Sequence, residues 1–79
     1  VFALVVTGDS MIDDGIHHGD YLFVREATAS QVRDGEIAVV MVDGDATVKR
    51  LFREGGRLRL QPANAAMHPI YVDGGSQDV

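Results

Sequence analysis

Glu36-Ile37-Ala38-Val39-Val40-Met41-Val42-Asp43-Gly44-Asp45-Ala46-Thr47-Val48-Lys49-Arg50-Leu51-Phe52 is the stretch that decides the fold. Its first seven residues carry the strongest strand signal in the chain, short and rich in β-branched side chains. Asp43-Gly44 then separates two strand-like runs. That dipeptide is the best short-range hairpin signal available, because a two-residue type I′ turn needs positive φ at both central positions. The resulting register pairs Val42 with Asp45 and sets Lys49 opposite Ala38.

Turns and short strands continue in both directions from this hairpin. Glu54-Gly55-Gly56 marks a further turn, and Arg57-Leu58-Arg59-Leu60-Gln61 alternates polar and apolar as a half-exposed strand does. Residues 62–69 read as a loop with Ala65, Ala66 and Met67 packed inside it, followed by the short strand Ile70-Tyr71-Val72. Upstream, residues 26–35 are a polar loop closed by Asp34-Gly35, and Tyr21-Leu22-Phe23-Val24-Arg25 is a strand. His17-His18-Gly19-Asp20 is a turn. Met11 to Ile16 is a single helical turn or loop anchored by Met11, Ile12 and Ile16. Phe2-Ala3-Leu4-Val5-Val6-Thr7 is a buried strand. The fold class expected is all-β, a small, partly open barrel or folded sheet of hairpins.

With 79 residues the chain is one small domain at most, with a marginal core. It contains no cysteine, so neither a disulfide nor a thiolate metal site supplements that core. The chain starts inside a strand and ends in the loop Asp73-Gly74-Gly75-Ser76-Gln77-Asp78-Val79, which suggests a piece of a longer polypeptide truncated at both ends. A net charge of −5 argues against a phosphate-binding surface. Lys49, Arg50, Arg53, Arg57 and Arg59 cluster, but alternation along strands divides them between two faces. No stretch has the length of a membrane span and no signal peptide is visible, so a cytoplasmic protein is expected.

Two residues could carry chemistry together. Gly8 breaks the first strand with permissive backbone and delivers the hydroxyl of Ser10 just past the strand end. Alone, such a serine is usually a turn residue bonding its own backbone. Lys49, mid-strand beside the small Ala38, is by default a surface lysine whose stem covers apolar neighbours. Burial would instead favour its neutral form, able to take a proton from a serine hydroxyl, and Ser-Lys pairs are a known nucleophile–base arrangement. Thr47 lies on the same face, placed to aim the amine. A Ser-His-Asp triad through Ser10 is the competing arrangement, with the weaker positional case.

Other residues support blander readings. His17 and His18 point apart on an exposed turn and lack a third ligand at helical spacing, so no metal is expected. Asp43-Gly44-Asp45 has Thr47 and Val48 where a calcium loop needs an oxygen ligand and a glycine. Asp13 and Asp14 read as a solvated pair, His68 as a loop residue, and Met11 and Met67 as core filler. No cofactor is expected.

Gly8-Asp9-Ser10-Met11-Ile12, Gly15-Ile16, Gly19-Asp20, Asp45 to Leu51, Leu60-Gln61-Pro62-Ala63-Asn64 and Pro69-Ile70 together resemble the LexA-type self-cleaving repressors. UmuD-type polymerase accessory proteins share the core pattern. The resemblance implies that residues 1–79 are a fragment of a C-terminal autoprotease and dimerisation domain, its N-terminal helix-turn-helix domain being absent. It implies Ser10 as nucleophile, followed directly by Met11, and Lys49 as general base. The backbone N–H groups of Ser10 and Asp9 would form the oxyanion hole. The implied partners are a RecA filament on single-stranded DNA, a second copy of the chain, and operator DNA through the missing domain, with no membrane. The implied reaction is cleavage of the protein's own linker at an Ala-Gly bond, which silences a repressor of the SOS DNA-damage response.

This chain holds no Ala-Gly pair, and too few residues precede Ser10 to include a cleavage segment. Self-cleavage is therefore expected only of a longer parent. An attractive form of gating follows: if that segment docks rarely, Lys49 stays wet and charged. The non-catalytic alternative is a β-rich dimerisation module in which Ser10 and Lys49 are bystanders.

Overall fold

The computed structural model describes residues 1–73. Their order is β1 (Phe2–Val5), a 3-10 turn (Ile12–Asp14), β2 (Tyr21–Val24), a second 3-10 turn (Ala29–Gln31), β3 (Ile37–Val42), β4 (Asp45–Glu54), β5 (Arg57–Gln61) and β6 (Ile70–Asp73). All strands pair antiparallel. β1 and β2 form a two-stranded sheet, and β3-β4-β5-β6 form a four-stranded meander. The all-β expectation holds as two open sheets, with no closed barrel among the described residues. The expected terminal loop at residues 74–79 lies outside them.

The β3–β4 hairpin has the expected register, Val42 opposite Asp45 and Ala38 opposite Lys49. Asp43 and Gly44 both take positive φ, 50° and 86°, the left-handed pair that a type I′ turn requires. Because the strand period is two, this register decides which side chains share a face. Ala38, Val40, Leu51, Leu58 and Leu60 fall on one face of the four-stranded sheet and form the core. Lys49 falls on that same face and is its buried charged residue, 8% exposed.

Several boundaries and packing expectations are corrected. β1 ends at Val5 and is not the buried strand expected, since Phe2, Ala3 and Val5 are exposed. Val6 is buried and prolongs the pairing, its N–H donating to Asp20 C=O at 2.8 Å and its C=O accepting from Gly19 N–H at 2.8 Å. The single helical turn after Ser10 is present, and its anchor is Met11, fully buried, while Ile12 is exposed. The polar loop 26–35 contains a short 3-10 turn. Ala65, Ala66 and Met67 are exposed and not packed inside their loop. Pro62 is the buried residue of that segment, because the chain leaves buried Leu60 and must cross under the turn containing Met11 before reaching β6.

The basic cluster divides as strand alternation requires, and its arginines are engaged locally. Arg50 pairs with Asp14 at 2.8 Å, Arg53 with Asp34 at 3.4 Å, and Arg59 with Glu54. Arg57 lies 4.4 Å over the ring of Tyr71 and Arg59 4.4 Å over Phe52. Guanidiniums held this way form no free row for a nucleic-acid backbone.

Candidate active site

β4 and the turn after β1 bring Ser10 and Lys49 together. Lys49 Nζ lies 2.9 Å from Ser10 Oγ, 2.7 Å from Thr47 Oγ1 and 3.1 Å from the carbonyl oxygen of Val48. These three contacts accommodate all three N–H groups of an ammonium. A neutral amine has two N–H donors and one lone pair. Val48 C=O can only accept, and Thr47 Oγ1 accepts as well, so the two donors have natural partners there. The lone pair is then left for Ser10 O–H. The pair is arranged for proton transfer in the direction a nucleophilic serine needs, within the roughly 2.6–3.2 Å such transfer requires.

Burial pushes the Lys49 amine below its ordinary value of 10.5, because desolvation penalises the charged form. The chain's own residues supply this shelter. The lysine is therefore not the wet one expected of the resting site: it is buried, and its charged form is disfavoured there. A narrow cleft of about 90 Å³ opens onto the pair between β1 and β4, walled in part by Val5, Thr7, Met11 and Thr47. Ser10 and Lys49 both line it.

The remaining candidates occupy defined places. Met11 is buried to 1% exposure directly beneath the serine turn. Its Sδ accepts a 3.4 Å contact from Ala63 N–H. His18 is not in a triad: its Nδ1 accepts from Gly8 N–H at 3.0 Å, which fixes the backbone two residues before Ser10. His17 N–H is bonded to Asp20 Oδ2 at 2.8 Å, and His68 sits exposed in the loop before β6. Asp14 is not simply solvated, since its carboxylate accepts from Arg50 Nε, whose guanidinium also donates to Gly35 C=O. That carboxylate holds the Arg50 guanidinium above its ordinary range.

Sequence reasoning missed the loop that grips the serine turn from below. Asn64 Nδ2 donates to the carbonyl of Asp9 at 2.8 Å, and its Oδ1 accepts from Ala66 N–H at 2.9 Å. Asp13 N–H donates to Ala63 C=O at 2.8 Å. The available signal was Asn64 after Pro62-Ala63, a residue type whose side chain bonds backbone two positions on.

Comparison with known proteins shows the family of the chain. The LexA repressor of Myxococcus xanthus is 61% identical over 72 residues, covering 91% of this chain and 32% of that protein. The LexA repressor of Desulfitobacterium hafniense is 52% identical over 79 residues, 100% of this chain and 36% of that protein. That of Koribacter versatilis is 50% identical over 80 residues, again 100% of this chain and 37% of the relative. The chain thus spans about a third of the length of these curated relatives. The peptidase S24-like family matches residues 1–79, the whole chain. A strand, a Gly-x-Ser turn and a hairpin lysine within bonding distance of that serine are thus found in a chain that belongs to the peptidase S24-like family.

Proposed function

We propose that this chain is the catalytic core of a LexA-type repressor that cuts its own linker with Ser10 as nucleophile and Lys49 as general base. The observation that carries this reading is the 2.9 Å contact between Lys49 Nζ and Ser10 Oγ at a buried position. Ser10 Oγ attacks the scissile carbonyl carbon as its proton passes to neutral Lys49. The developing oxyanion receives the backbone N–H of Ser10, with that of Asp9 as second donor. Lys49 then returns the proton to the leaving amine, and the C–N bond breaks to leave an ester on Ser10. Water, deprotonated by Lys49, hydrolyses the ester and regenerates the hydroxyl. Thr47 holds the amine in place throughout.

The substrate is an Ala-Gly bond in the parent's linker, outside this chain. Since the pair is already assembled, control falls on how often that segment occupies the cleft. A RecA filament on single-stranded DNA acts by raising the population of the docked state. The parent is a cytoplasmic homodimer that binds operators through a separate N-terminal domain, and its cleavage derepresses DNA-repair genes.

The test is incubation of the full-length protein with activated RecA filament, read by intact mass. Two fragments summing to the parent plus one water, formed at an Ala-Gly bond and absent in Ser10→Ala, are expected. An uncut protein with and without filament would leave a β-rich binding module.

A further inference from the structure

The peptide unit joining Asp9 to Ser10 carries, at one end, the Asp9 carbonyl and, at the other, the Ser10 N–H assigned to the oxyanion. A trans peptide points these two groups in opposite directions within one rigid plane, so fixing one aims the other. Asn64 fixes the carbonyl end through its 2.8 Å bond from Nδ2. Its amide cannot be turned over without loss, because Oδ1 is engaged by Ala66 N–H at 2.9 Å. The donor therefore faces Asp9 by necessity.

His18 anchors the same turn one residue earlier, at Gly8 N–H, and leaves the Asp9–Ser10 peptide itself to other contacts. Gly8, immediately before, has a φ of 84° with no neighbour within 4 Å of the space a Cβ would take, so no side chain packing at that position orients the following peptide. Asp9 is exposed, and Ser10 only half-buried. Ala63 N–H on Met11 Sδ and Asp13 N–H on Ala63 C=O seat the loop against the residues that follow Ser10. Ile12 N–H also reaches the Asp9 carbonyl, at a long 3.4 Å; Asn64, at 2.8 Å, is the side chain that reaches back to the peptide on which the oxyanion donor sits.

We infer that Asn64 is a positioning residue for the oxyanion hole: it clamps the Asp9 carbonyl and thereby aims the Ser10 N–H at the reacting carbonyl oxygen. This rests on the Ser10–Lys49 reading above. Asn64 touches neither the nucleophile nor Lys49, so its loss acts on the rate of the chemical step and leaves the titration of the base where it was.

The experiment measures self-cleavage of the full-length protein from pH 7 to 10 in the parent sequence, Asn64→Ala, Asn64→Asp and Ser10→Ala. Removing a direct oxyanion donor slows enzymes by about 10²–10³, so misaiming one is expected to lower the plateau rate at least about tenfold. Asn64→Ala should show that loss with an unchanged pH midpoint. Asn64→Asp keeps an acceptor for Ala66 N–H and replaces the donor to Asp9 with a carboxylate oxygen, so it should also be slow while folding normally by circular dichroism. Should Asn64→Ala fold poorly, Asn64→Asp carries the decision. A plateau within twofold of the parent in either folded variant, or a loss arising wholly from a moved midpoint, overturns the inference. Cleavage that persists in Ser10→Ala would instead sink the Ser-Lys reading itself.

Discussion

Lys49→Met in the full-length protein lowers the self-cleavage rate by about 10²–10⁴, the usual contribution of a positioned general base. Methionine retains the apolar stem that packs beside Ala38 and Leu51 and removes only the amine. Three contacts disappear, to Ser10 Oγ, Thr47 Oγ1 and Val48 C=O. Folding stability moves the other way or not at all. Burial lowers the Lys49 pKa, so wherever the amine is charged the folded state carries a desolvation penalty. That penalty fades as pH rises through the folded pKa toward the unfolded value of about 10.4. The variant lacks the penalty at every pH. Thermal unfolding near pH 7 should therefore find it as stable as the parent or more so, while single-turnover cleavage finds it inactive. A variant that is both inactive and unfolded would remove the evidence for a role in proton transfer.

Leu51→Ala has the opposite profile. Leu51 is fully buried in the core with Ala38, Val40, Leu58 and Leu60, one strand repeat from Lys49. Truncating a buried leucine costs about 2–5 kcal/mol from lost transfer energy and the cavity left behind. Whole domains hold only about 5–15 kcal/mol, and a small core stands toward the lower end. Urea unfolding followed by circular dichroism should show the transition midpoint falling sharply with an unchanged slope. A loss below about 1 kcal/mol would mean the site collapses around the smaller side chain and the core is looser than its burial suggests.

Why the hairpin was legible and the serine's support was not has a physical explanation. Asp43-Gly44 announces its turn through a local backbone requirement, and the two-residue period then places every side chain on β3 and β4. Opposing Lys49 to Ala38 was therefore a matter of counting, and the lysine's burial followed from sharing a face with Leu51. The Ser10–Lys49 contact joins two elements 39 residues apart and was suggested by family resemblance, since periodicity says nothing about which loop covers which strand. Ala65, Ala66 and Met67 were misplaced for a related reason. Apolar residues in a loop look like anchors, yet the loop docks through Pro62, the backbone of Ala63 and the amide of Asn64, and its apolar tip faces outward. His18 reads as an exposed turn residue and Asp14 as solvated because their partners lie on segments whose approach no local pattern records. Polar side chains that bond distant backbone leave no periodic trace.

The central claim is that a buried, neutral Lys49 activates Ser10. Its most direct measurement is the self-cleavage rate of the full-length protein across pH 7 to 10, without filament. The active form of the base is the neutral one, so the rate should climb with pH as the amine loses its proton and then level off. Because burial lowers that pKa, the midpoint should lie below 10.5. A rate flat from pH 7 to 10, or one that falls, would contradict Lys49 as the base.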